Sequence, residues 1–399
     1  KAQLQAQVKK ATGRELKIDG KASISVLPNV VVTLEEVTFR NPAGFASPYF
    51  VKVKTLSVGA ALKPLLSRQL RITDITIDGA VLNLEHAASG KENWDFVSGK
   101  KDGAADAREE KKSGSSPLII DVVHIRNSAV NYRKVGAKPM NLATTHIDAD
   151  VALTGEVVKL SLGNASLYGG TAKGAASMDG PALAMRMDLV GVKIEPLMVA
   201  LTGASKLEGA ATIGLDVTGK GKSGDAIMRA LNGTGTIKIN DGAVKGINIA
   251  SFLRDAKRGF VMGSSSTEKT DFTEMTASVK IAQGVATNDD LSMKSPVLRL
   301  SGKGTINLGA QTINYRAVPT LVGTIQGQGG RDDAKGIAVP LLITGPWSAI
   351  AVTPDMAGLL QESLKNPEAL KQNLKSAKEL IGDVNSPKDI GKALFGGGN

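Results

Sequence analysis

The run Gly219-Lys220-Gly221-Lys222-Ser223-Gly224 has the G-x-G-x-x-G spacing of a phosphate cradle, with an alternating stretch, 211–217, before it and a helical one after it. In a dinucleotide site such glycines let backbone N–H groups approach a pyrophosphate, and an acid further along, here Asp241, binds the ribose. Three features argue against that chemistry. The helix stops at Asn232-Gly233, about seven residues on, which is short for a crossover between parallel strands. No second strand–helix–strand unit accompanies it. Strands that alternate oily and wet residues belong to sheets with one solvated face, not to parallel sheets covered on both sides. The run therefore reads as a glycine-rich loop.

The remaining chemistry-bearing residues are scattered. His86, His124 and His146 share no metal-ligand spacing, and the absence of Cys excludes disulfides, zinc ribbons and thiol catalysis. Asp148/Asp150 and Asp289/Asp290 are close carboxylate pairs, but in strand or turn settings where solvent exposure accounts for them. A glycosidase pair needs a defined separation that spacing in sequence does not give. There is no G-x-S-x-G elbow and no Walker loop. The expectation is a protein that is not an enzyme and that uses neither cofactor nor metal.

The elements that carry these residues are mostly short strands. The chain has 399 residues, 42% of them hydrophobic, yet only 4% are aromatic and 45 are Gly, a balance that suits extended thin sheets better than a thick aromatic core. A leading helix over 1–11 carries Leu4, Val8 and Ala11 on one face and ends at Gly13. Strands are predicted at 17–19, 29–34, 51–58 and 70–77, and Asp78-Gly79 predicts a hairpin into 81–84. The charged stretch 98–116 reads as a flexible linker, so the division is a β-rich domain over 1–97, the linker, a strand-rich body over 117–345 and a helical tail over 346–399. In that tail Asn366-Pro367 starts a helix with Leu370, Leu374, Ala377 and Ile381 in one stripe. Brief helices are predicted at 195–201, 225–231 and 248–257.

Weak repetition runs through the strands. ITIDGAVLNLE (75–85), VHIRNSAVNYR (123–133) and IKINDGAVKGI (237–247) each place a polar pair before Ala-Val. Their spacing is too irregular for a solenoid and fits one sheet grown by repeated hairpins.

The body has about three short helices for a dozen or more strands, so its apolar faces are short of cover. Either the strands close on themselves or the oily face curls into a groove, and a groove would suit acyl chains, which cost about 0.8 kcal/mol per methylene to hold in water. The fold class expected is mainly β, a strongly curved and mostly antiparallel extended sheet forming a taco-like hydrophobic groove with short helices at its ends. The residues predicted to line it are Leu183, Met185, Met187, Leu189, Ile213, Leu215, Val217, Ile237, Ile239, Leu298, Leu300, Ile306 and Leu308. The net charge of +11 permits attraction to anionic partners and equally fits a solubilising excess of Lys. Between partners, the scarcity of Tyr and Trp among the basic residues points to membrane surface and away from nucleic acid. No apolar run reaches the length of about 20 residues that a membrane-spanning helix needs.

Residues 5–96 carry a resemblance to a known family. Thr12-Gly13-Arg14, Pro28, Asn41-Pro42-Ala43-Gly44, Lys63-Pro64-Leu65-Leu66, the segment around Asp78-Gly79, Gly90 and Asn93-Trp94 resemble the AsmA N-terminal domain in order and content. A second stretch, from Ala230-Leu231-Asn232-Gly233 through Asn240–Gly246 to Phe252-Leu253, resembles the family's C-terminal module. The resemblance implies a bacterial periplasmic protein held in the inner membrane by one N-terminal helix preceding Lys1, and related to repeating β-groove lipid-transfer proteins. It implies phospholipid as cargo between inner and outer membrane, with envelope proteins as further partners. The alternative is a non-enzymatic scaffold for outer-membrane protein or lipopolysaccharide biogenesis. This chain is shorter than many such relatives, which bears on whether it spans the periplasm alone.

Overall fold

Period-two alternation becomes strand almost throughout. A computed structural model describes residues 1–26, 29–66, 71–95, 119–136, 140–203, 205–246, 268–296, 298–321, 340–355 and 358. The linker at 98–116, the helix expected at 248–257 and the tail from 366 onward lie outside the described residues. The chain divides into two units, one of residues 1–192 and 196–205, the other of residues 193–195 and 206–399.

The first unit opens with α1 (Ala2–Thr12), which ends where Gly13 turns left-handed at φ 71° and donates its N–H to Lys9. Its strands are β1 (Leu16–Ile18), β2 (Ala22–Ser25), β3 (Val30–Arg40), β4 (Tyr49–Ala60), β5 (Arg71–Asp78), β6 (Val81–His86), β7 (Ile119–Lys134), β8 (Met140–Thr154), β9 (Val157–Leu167), β10 (Gly170–Asp179) and β11 (Ala182–Lys193), with the one-turn α2 (Leu62–Leu66) after β4. β1 and β2 both pair with β3, and antiparallel pairing then runs in order from β3 to β5 and from β7 to β11.

The exception is at Asp78-Gly79, and it corrects the hairpin expected there. β5 and β6 do not fold back on one another. Both lie antiparallel to β4 and parallel to β7, as one strand interrupted at Gly79. Gly79 takes φ 64° and its N–H donates to Arg126, while the N–H of Ala129 reaches the carbonyl of Ala80, so the pair is absorbed as a bulge. The other copies of the repeat do the same. Asn127 (φ 47°) lies inside β7, and Asp241 (φ 48°) lies inside a single later strand. The pairing of β5 and β6 with β7 also places the residues on either side of the 98–116 linker in one unit.

Bulges reset the alternation. Glu36, at φ 51° in β3, lets Leu34 and Val37 both turn inward three residues apart, and with Ile18, Val53 and Ala80 they form a buried core cluster in this unit.

α3 (Ile194–Thr202) falls at the division. The second unit is an antiparallel meander of β12 (Leu207–Lys220), β13 (Asn232–Lys245), β14 (Lys269–Ala282), β15 (Val285–Lys294), β16 (Leu298–Asn307), β17 (Thr312–Leu321), β18 (Leu341–Pro346) and β19 (Ala351–Pro354), each paired with the next. α4 (Gly224–Arg229) sits between β12 and β13. The protein is mainly β and mostly antiparallel, with few and short helices, as its alternation predicts.

Candidate functional site: two apolar sheet faces

In the first unit the registers align apolar residues into rows that cross the strands. One row runs Ile24–Val32–Val58–Ile75–Val123–Val151–Leu160–Ala176–Met185, each residue the direct partner of the next. A second runs beside it, Leu34–Leu56–Ile77–Ile125–Ala149–Leu162–Gly174–Met187. Every member of the first row keeps part of its surface in contact with solvent, and Ile24 at the edge is 69% exposed. Fully covering a Val, Leu or Ile is worth about 1.5–3 kcal/mol, so leaving part of each uncovered forgoes at most about 1 kcal/mol at each position inside the edge.

The opposite face of these strands carries Ser23, Thr33, Ser57, Thr76, His124, Asp150 and Ser161 in register. Here the imidazole Nδ1 of His124 lies 2.6 Å from Asp150 Oδ1, and Arg126 Nη2 donates to the same oxygen at 2.7 Å. These bonds, that of His124 foremost, hold the Asp150 carboxyl below its ordinary value. It is a surface ion cluster on the wet side of the sheet.

The second unit builds the same pattern but closes it. Ala211–Ile239–Met275–Met293–Leu300–Pro319 are partners in sequence across six strands. Ala211, Ile239, Met293 and Pro319 in that row are sealed from solvent. Of the residues predicted to line a groove, Leu183, Met185, Met187 and Leu189 share the half-open face of β11. Ile213, Leu215, Ile237, Leu300 and Ile306 are half-buried, and Val217, Ile239 and Leu298 are fully buried. Leu308 lies past the end of β16 in a turn, where its N–H donates to Gly284, so it is not part of the strand's face.

The glycine-rich run has a packing role. A Cβ on Gly221 would stand 2.6 Å from Ala226 Cβ, and one on Gly219 would stand 3.0 Å from Ile227 Cγ2, so these glycines let α4 lie against the end of β12. Ser223 caps α4 by accepting from the Ala226 N–H. One member of each carboxylate pair serves a bulge. Asp148 accepts from the Asn127 N–H, and Asp290 accepts from both the N–H and the hydroxyl of Ser278 beside a register shift between β14 and β15. Among the described residues no three His, Cys, Asp or Glu side chains gather as a metal site. Two clefts of about 460 and 280 Å³ are lined by polar and apolar residues together, Leu62, Pro64, Arg71 and Asp121 in one and Asn83, Leu84, Glu85 and Arg133 in the other.

Spacing alone missed the polar clasp near the N-terminus. Asn93, wholly buried, accepts from the Glu85 N–H and donates to Asn83 and Asn41. Glu85 in turn accepts from the N–H groups of Ala46 and Ser47. Arg14 donates to the carbonyls of Asn93 and Asp95 and lies about 6 Å from the rings of Phe39 and Phe50. The clasp is built from the segments that carry the family resemblance, and it fastens them to one another.

Fold and surface together define a class: a sheet protein presenting long apolar rows on one face and ion pairs and hydroxyls on the other. The chain belongs to the AsmA family, whose model matches residues 1–144 and 129–291. It is 24% identical over 285 residues to Protein AsmA of Escherichia coli strain K12, covering 70% of this chain. That stretch spans 45% of the relative's length. No solved structure matches the chain. Among the described residues no helix is long and apolar enough to cross a membrane.

Proposed function

We propose that the chain handles lipid in the periplasm, laying phospholipid acyl chains along the apolar rows of its first unit for movement between inner and outer membrane, without catalysis and without a cofactor. The observation that carries this reading is the row from Ile24 to Met185, apolar at nine consecutive partners and fully buried at none. Such a surface binds methylenes by area, with few polar contacts to hold one molecule in place, as a carrier requires. Membership of the AsmA family supports an envelope setting and a tether in the inner membrane. Proteins of the envelope are the natural further partners.

The test is solvent extraction of the purified chain with mass spectrometry of what comes out, paired with photo-crosslinking from Leu160. Co-purifying phospholipid is expected. Val123→Asp, in the middle of the row, should reduce crosslinking several-fold while leaving the sheet's circular dichroism unchanged, and unaltered crosslinking would count against the assignment. A second reading is supported by the sealed row in the second unit: that unit is a scaffold with an ordinary core. Under it, Leu215→Asp destabilises the fold instead of lowering lipid capture.

A further inference from the structure

Exposed apolar residues in the second unit gather at one end of its sheet. Antiparallel pairing puts the β12–α4–β13 connection and the turns β14–β15, β16–β17 and β18–β19 at the same end, as the registers Thr218 with Asn232, Ala282 with Val285, Asn307 with Thr312 and Thr344 with Ala351 require. Three apolar side chains protrude there: Met228 from α4, and Trp347 and Ile350 from the last turn, at 38, 37 and 48% exposure. The whole of 346–350 is exposed.

Charge at this end is mostly positive. Lys220, Lys222, Arg229 and Lys280 stand exposed against two carboxylates, Asp225 and Asp216, the latter across Thr234 from Lys280. None of the four cations has an ion-pair partner among the described residues. Elsewhere in the unit about half of the cations are matched, while Lys193, Lys206, Arg299 and Lys303 have no ion pair among the described residues. Lys245 pairs with Glu195 and Glu208, Lys238 and Lys294 share Glu274, Lys269 pairs with Asp271, and Arg316 with Asp355.

We infer that this end of the second unit docks on a bilayer carrying anionic lipid, with Trp347 and Ile350 entering the interface and the four cations facing phosphate. Three apolar prongs on two connections, set among cations, suit a fluid interface better than the contiguous apolar patch that protein partners bury. Trp prefers the headgroup level of a membrane because its ring is apolar and its N–H is polar. Unpaired Lys and Arg are drawn to the negative surface, and each adds about fivefold to binding near it. The inference does not need the apolar rows to carry lipid.

The chain has two tryptophans, Trp94 and Trp347, so Trp94→Phe leaves Trp347 as the sole reporter. Titrated with vesicles of phosphatidylglycerol and phosphatidylethanolamine, this protein should show a blue shift of Trp347 emission that vesicles of phosphatidylcholine do not produce. Replacing Lys220, Lys222 and Lys280 together by Gln should weaken the shift about a hundredfold in vesicle concentration, while Ile350→Ser weakens it at unchanged charge. Vesicle binding with no change in Trp347 emission would place the contact elsewhere in the chain and overturn the inference. So would crosslinking from position 347 to a protein in place of lipid. A protein that shows the shift but yields no extracted phospholipid keeps this surface and loses the carrier reading.

Discussion

Asn93 sits at the centre of three side-chain hydrogen bonds with no exposed surface. Truncation to Ala would leave the Glu85 N–H and the Asn83 carbonyl buried and short of a partner, at about 1–3 kcal/mol each. Asn93→Ala should therefore lower the urea midpoint of unfolding clearly, and a shift under half a kcal/mol would show the clasp to be idle. Tyr315 offers a second test. Its hydroxyl donates to Asn288 in a buried setting, and burial, with the charge of Asp290 behind it, pushes the phenol from 10.0 up to about 12. A pKa raised on folding contributes stability that is complete below pH 10 and is lost as pH rises towards 12. Of the four tyrosines, Tyr132 is also raised by burial, and Tyr315 should ionise last in an absorbance titration, so that Tyr315→Phe abolishes the last step, at about 12. Neither role was legible beforehand, because a hydrogen bond between residues 52 apart, as Asn93 makes to Asn41, leaves no periodic trace.

Glycines explain how the elements pack. In β16 a Cβ on Gly302 would meet Tyr315 Cε1 at 2.7 Å, and one on Gly304 would meet the Tyr315 Cα at 2.6 Å. These strand glycines make room for an aromatic ring lying across them, which the alternation Leu298, Leu300, Gly302, Gly304, Ile306 could not disclose. Gly302→Ala should cost about 1–3 kcal/mol by overpacking. Gly224 makes the opposite case. Nothing lies within 4 Å of its added Cβ and its φ is not positive, so Gly224→Ala in the first turn of α4 should be neutral or stabilise by about 0.4–1 kcal/mol. Thermal melts of the two variants check both expectations, and a large loss at Gly224 would revive a ligand-binding loop. Strands, their alternation and α1, α3 and α4 were readable from spacing. The hairpin at Asp78-Gly79 was misread because a polar pair ending in Gly is the signature of a two-residue turn and of a bulge alike. Only the partner strand tells them apart, and here β7 continues alongside.

At the scale of the molecule, a protein that stores free energy in an uncovered face should gain stability when that face is filled. Ligand bound to the folded state alone raises stability with the logarithm of its concentration over Kd. Delipidated protein is therefore expected to melt several degrees below protein as purified, and phospholipid added back should restore the difference. Identical melting of the two forms would mean the face is dry in both. The oily faces themselves were legible in the sequence, since Leu183 to Leu189 alternate without a break. That one unit leaves its row open while the other seals Ile239, Met293 and Leu298 was not, because alternation says which way a side chain points and not what comes to lie on it.

The open row crosses its strands at right angles, one residue per strand, and neighbouring strands are about 4.8 Å apart, so nine of them give a track roughly 38 Å long. Its length is thus counted in hairpins, while its width is fixed by the few residues each strand contributes. A lineage could stretch or shorten its reach by duplicating or deleting one hairpin, with no redesign of the cross-section. β2, short, exposed and paired among the described residues only with β3, is where such a ruler can be extended.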